Sequence, residues 1–162
     1  MSTVDGWKSF PGRLEEGDKE FSGTFKGPDG EELEVTGTIQ TAPKTWETTL
    51  KWKTDAEIPK AFLISTCALS QDQFETAKIS SGAKNISFEK IFGGLPAVTS
   101  MAKVTDFMIM PSDGANLNFT FDNPIDIEVV RMGEKIDLRI FITPSGGDLP
   151  AEGSLNWKIT QD

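Results

Sequence analysis

Apolar and polar residues alternate in short runs along most of this chain, and glycine, proline, asparagine and aspartate interrupt the runs. A period of two is the signature of strands with one buried face. In FSGTFK, Phe21, Gly23 and Phe25 share a face; in the run after GPDG, Leu33, Val35, Gly37 and Ile39 share another. Both apolar sets are odd-numbered, so a hairpin buries them together only if paired numbers sum to an even value. That rule puts Phe25 opposite Leu33 and Gly23 opposite Val35. It leaves a loop from Gly27 to Glu31, with Pro28, Asp29 and Gly30 as turn residues.

A second hairpin is read from IDIEVVRMGEKIDLRIFI, where Ile125, Ile127 and Val129 precede a turn and Ile136, Leu138 and Ile140 follow it. Here the sum must be odd. Pairing Val129 with Leu138 leaves Gly133-Glu134 as a two-residue loop, and glycine in first place is what a type II′ turn requires.

Further strands are expected over 45–53, 61–69, 86–92, 104–110, 117–122 and 154–160, and AFLISTCAL and FMIM, apolar on both faces, read as covered central strands. A short helix is expected over 71–78, where Ser70 and Gln73 have capping-box spacing. In NPIDI the residue before proline is held extended, which suits a strand crossing between sheets better than a tight turn. The expected architecture is all-β: one domain over 1–162, an antiparallel β-sandwich of about ten short strands, Greek-key or jelly-roll-like. Its first 20 residues are expected to be irregular, and a closed β-barrel is the alternative.

Charge narrows the partners. With 16 Lys and Arg against 25 Asp and Glu, the net charge of −9 repels polyphosphate and argues against nucleic acid. No stretch reaches the ~18 apolar residues that span a bilayer, and the opening MSTVDGWKSF lacks the regions of a secretory signal. The expectation is a cytoplasmic protein without membrane insertion, and the single Cys67 agrees with a reducing compartment.

The chain has no histidine and no tyrosine. Triads and metal sites built on imidazole are thereby excluded, and no cofactor is indicated. Cys67, inside LISTCAL, is expected to be a buried structural thiol. Two carboxylates can do acid–base work without histidine, but 25 acidic residues make such pairs common. Asp122, Asp126 and Glu128 form the most compact acidic group and are the candidates for Ca²⁺, which needs six to eight oxygens. FGGLPAVTS and TPSGGDLPAEG lack the lysine and spacing of phosphate-binding loops; with PSDGAN they are candidate contact loops.

KTWETTLKWK holds two of the four tryptophans. Trp46, Thr48, Leu50 and Trp52 share one face, and Glu47, Thr49, Lys51 and Lys53 the other. Trp46 and Trp52 could stack a glycan or another flat ligand. The core reading is favoured, because the charged face already supplies the side toward water. Trp157 reads the same way, and Trp7 has no periodic context.

Taken together, the sequence leads us to expect a non-catalytic β-sandwich, not an enzyme, that recognises a ligand or assembles with a protein partner or with itself. The alternatives are a β-barrel carrier or carboxylate-based enzyme for a small apolar molecule, and a Ca²⁺-dependent adhesion or lectin-like module.

Overall fold

The computed structural model describes residues 2–3, 15–16, 19–26, 30–93, 98–111, 114–144 and 147–162. In chain order the strands are β1 (Ser2–Thr3), β2 (Glu15–Glu16), β3 (Glu20–Lys26), β4 (Glu32–Ala42), β5 (Thr45–Thr54), β6 (Ala61–Phe62) and β7 (Ile64–Ser70). After helix α1 (Gln71–Phe74) come β8 (Lys78–Ser81), β9 (Lys84–Ser87) and helix α2 (Phe88–Phe92). The chain ends with β10 (Val98–Met110), β11 (Leu117–Met132), β12 (Lys135–Phe141) and β13 (Glu152–Gln161).

The protein is all-β. Among the described residues, eleven strands form one antiparallel sheet in the order β2-β3-β4-β5-β13-β11-β10-β8-β9, with β12 and then β7 branching from β11; β1 and β6 pair separately. The sheet is open, so the barrel alternative does not apply.

β11 explains the branch. Its first part, Leu117 to Phe121, pairs with β13, and its second part, Asp126 to Met132, pairs with β12. The switch falls at Asn123-Pro124, where proline removes a donor and fixes φ. NPIDI is thus a change of partner within one continuous strand. Two aspartates tie the ladder where the strands part. Asp122 accepts from the Asn156 backbone N–H (3.1 Å) and from Asn156 Nδ2 (2.7 Å). Asp126 accepts from the Lys103 backbone N–H at 2.9 Å, beside a register shift between Met101 and Val104 where Lys103 adopts φ 55°. The branch makes a core between the two arms, with Ile127, Val129, Ile136 and Leu138 from one and Ile79, Ile86, Phe107 and Ile109 from the other. A second core lies where Leu33, Val35, Leu50 and Trp52 are roofed by Ile58, Ala61, Leu63 and Leu149.

Both hairpin registers are as the alternation rule sets them: Phe25 opposite Leu33, Gly23 opposite Val35 and Val129 opposite Leu138. Gly133 has φ 68°, as the first position of a type II′ turn demands. Residues 27–29 of the first loop lie outside the described residues, as does Trp7.

Three expectations need correction. The run over 86–92 is not one strand: after Ser87 it becomes α2, whose Phe88, Ile91 and Phe92 are all buried. Their i, i+3, i+4 spacing outweighs the alternation of Ile86 and Phe88. The helix expected over 71–78 is a single turn that ends at Phe74, and Ser70 at its N-cap makes no capping side-chain bond. AFLISTCAL breaks at Leu63 into β6 and β7, and among the described residues β7 borders only β12, so Thr66, Cys67 and Ala68 are exposed at an edge. The cover is confined to the ends of the run, where Ala61, Phe62, Leu63 and Leu69 are buried.

Candidate functional site

The nine-stranded path of the sheet has an apolar face directed at the cores and a polar face directed at solvent, and the candidate residues divide between them. Trp46 and Trp52 are both on the apolar face. Trp52 is 7% exposed, and its Nε1–H donates to the Pro150 carbonyl at 3.2 Å. Trp46 is half-buried and belongs to neither core; its cross-strand neighbours are Thr41 and Ile159.

The three acidic candidates are not brought together. Asp122 is bonded to Asn156, and Asp126 to the Lys103 backbone. Glu128 receives Arg139 Nη1 at 2.8 Å, while Arg139 Nε reaches Asp137 at 3.0 Å. Arg139 loses some solvation by burial, but the hydrogen bonds and charges of Asp137 and Glu128 outweigh that loss and hold its guanidinium above the ordinary range. No cluster of three His, Cys, Asp or Glu side chains able to hold a metal occurs among the described residues.

Cys67 corrects another expectation: it is exposed rather than buried. Partial desolvation first, and the negative charge of Asp137 second, push its thiol above the ordinary range. At neutral pH it is therefore a poor nucleophile.

The polar face holds a different grouping, which alternation alone did not single out. Across β4, β5 and β13, near the start of β4 and the end of β5, Glu34 faces Lys53, which faces Glu152; one step along, Thr36 faces Lys51, which faces Ser154. The next row is Thr38, Thr49 and Asn156, the last held by Asp122. At a strand spacing of about 4.8 Å, Glu34 and Glu152 stand roughly 10 Å apart in backbone position on either side of Lys53.

Two adjoining hollows lie over these rows. One, of about 570 Å³, has Glu34, Thr36, Lys51, Lys53, Glu152 and Ser154 in its lining, with Trp52 and Gly153 between them. The other, of about 420 Å³, continues past Glu34 and Lys53 to Glu32, Asp55 and Gly30. Further along β5, Lys158 Nζ closes on Glu47 at 2.8 Å, whereas the lysines and glutamates of the groove make no such pair with one another among the described residues. The donors and acceptors of Glu34, Lys51, Lys53 and Glu152 are thus available to a polyhydroxylated molecule, and their rows offer acids, amines and hydroxyls in alternation.

No protein-family model matches the chain, and no characterised protein matches it in sequence. Solved structures do. The fold is similar to that of a protein from Escherichia coli K12 provisionally assigned as an aldose 1-epimerase, with 10% identity and a TM-score of 0.61 over 96% of this chain and 69% of that one. It is also similar to the Slr1438 protein of Synechocystis sp. PCC 6803, with 8% identity and a TM-score of 0.50 over 94% of this chain and 66% of that one. At these identities the likeness is one of fold, and this chain spans about two thirds of the length of each.

This finding overturns the expectation of a non-catalytic binding or assembly sandwich. The β-barrel carrier or enzyme alternative fails because the sheet is open, and the calcium-module alternative because Asp122, Asp126 and Glu128 form no cluster able to hold a metal. The absence of histidine and tyrosine removed familiar catalytic groups without removing catalysis as such. Among the described residues, no helix is long and apolar enough to cross a membrane.

Proposed function

We propose that this chain acts on a saccharide at the anomeric centre, in the groove over β4, β5 and β13. The observation that carries the reading is the fold it has in common with a protein assigned as an aldose 1-epimerase, joined to a groove whose Glu34 and Glu152 flank Lys53. Interconverting the anomers of an aldose requires only that one group take a proton from the anomeric hydroxyl while another gives one to the ring oxygen. The bond from C1 to the ring oxygen opens, the C1–C2 bond rotates, and the reverse transfers close the ring with no net change in protons. Carboxylates serve both roles without histidine. In this reading Glu34 and Glu152 exchange the protons, Lys53 offsets the charge that develops between them, and Thr36 and Ser154 hold ring hydroxyls.

The test is anomer interconversion followed by polarimetry on freshly dissolved aldoses, with saturation-transfer NMR for binding. Glu34→Gln and Glu152→Gln are each expected to reduce the catalysed rate at least tenfold, the lower end of what general acid–base catalysis contributes being about 100-fold. If the unmodified chain neither accelerates the interconversion nor binds an aldose, the proposal is overturned.

A further inference from the structure

We infer that the saccharide is an oligosaccharide of two or more units and not a single sugar. This inference rests on the saccharide reading and concerns the shape of the same groove. The two hollows adjoin, with Glu34 and Lys53 lining both, so they form one channel along the strand direction. From Glu32 to Thr36 the channel follows β4 for roughly 13 Å at about 3.3 Å per residue, and Gly30 and Asp55 prolong it past the end of the strand. That length exceeds one pyranose ring. Among the described residues no wall ends it on the other side either: beyond Thr36 and Lys51 the same face continues through Thr38, Thr49 and Asn156, all exposed or half-exposed.

The lining points the same way. Glu34, Lys53 and Glu152 form the one row with an acid on both sides of an amine, and it lies within the larger hollow. Glu32 and Asp55 lie in the smaller hollow, away from that row. A unit seated over the Glu34–Lys53–Glu152 row leaves Glu32 and Asp55 to accept hydroxyl donors from the next unit. The aldose that reacts is then the reducing end of a short chain.

The experiment is a calorimetric and NMR titration of the full chain with mono-, di-, tri- and tetrasaccharides of glucose, galactose, mannose and xylose, in α- and β-linked series. In at least one series, affinity is expected to rise tenfold or more from mono- to trisaccharide. The double variant Glu32→Ala/Asp55→Ala is expected to remove that gain and leave the monosaccharide affinity within twofold, with an unchanged melting temperature to show that the fold is intact. A monosaccharide bound as tightly as its trisaccharide overturns the inference and leaves the proposed function standing. So does a length-dependent gain that survives in the double variant, since the extra units then lie elsewhere. Failure of every saccharide to bind overturns both.

Discussion

Trp46 and Trp52 lie on one face of one strand, yet Trp52 is 7% exposed within a core and Trp46 is half-exposed outside both cores. Their sequence environments are alike: each has polar or charged neighbours on the opposite face, Thr45 and Glu47 for Trp46 and Lys51 and Lys53 for Trp52. What differs is the chain that folds over them. Above Trp52, Ile58 and Leu149 exchange backbone hydrogen bonds at 2.9 Å in each direction, and with Ala61 and Leu63 they close the roof. Alternation determines which side of a sheet a residue occupies; burial is decided by distant segments that cover the sheet or leave it open.

The sharpest way to break this contrast is to remove the buried indole. Trp52→Ala is expected to cost about 3–5 kcal/mol, the range for emptying a large aromatic site in a packed core. The measurement is urea unfolding followed by circular dichroism. A loss no larger than that of Trp46→Ala would show that the roof does not hold the ring.

The roof has a polar tie that can be cut without changing its volume. Thr143, 3% exposed, accepts the Leu63 backbone N–H at 2.8 Å through its hydroxyl. Thr143→Val leaves that buried N–H without its acceptor, at an expected cost of about 1–3 kcal/mol. Hydrogen exchange of the Leu63 amide should quicken along with the fall in stability, and an unchanged amide would show that the tie is not what holds the roof in place.

Two glycines refine the comparison further. A Cβ on Gly153 would lie 2.1 Å from Trp52 Cζ2, and one on Gly37 would lie 2.1 Å from Phe21 Cζ. The gaps are equal, but the rings are not equally free. Trp52 is fixed by Pro150 and the roof, whereas Phe21 is half-buried on β3, near the margin of the sheet. Gly153→Ala should therefore cost roughly 1–3 kcal/mol, as overpacking does, and Gly37→Ala less. Equal losses would mean that Phe21 is as confined as Trp52.

The same distinction between side and cover sorts what could be read from the sequence. Hairpin registers were legible because parity fixes them: Phe25 meets Leu33, and Val129 meets Leu138. The edge position of β7 was not, because LISTCAL is apolar whether it lies inside a sheet or borders it. Asp122 and Asp126 looked like cation ligands in sequence, since NPIDI signals a crossing but not that the N–H groups of Asn156 and Lys103 are left there to be capped. The groove was half legible. Lys51 and Lys53 were already placed on the solvent face, but Glu34 and Glu152 join them only through the pairing of β5 with β4 and β13, strands separated by about 100 residues.

The smallest expected effect is at Trp46, and it distinguishes side from cover most directly. Trp46→Phe should change stability by less than about 1 kcal/mol, because a half-exposed ring outside the cores gives up little contact. Its fluorescence should report the opposite of its energetic silence. Removing Trp46 should take away a long-wavelength component that acrylamide quenches readily, whereas Trp52→Phe should take away a short-wavelength component that resists quenching. If both substitutions remove the same shielded emission, Trp46 is covered in solution and the two ends of β5 are alike. If Trp46 alone is accessible, the face that begins β5 is open and the roof over Trp52 is what makes a core of the other end.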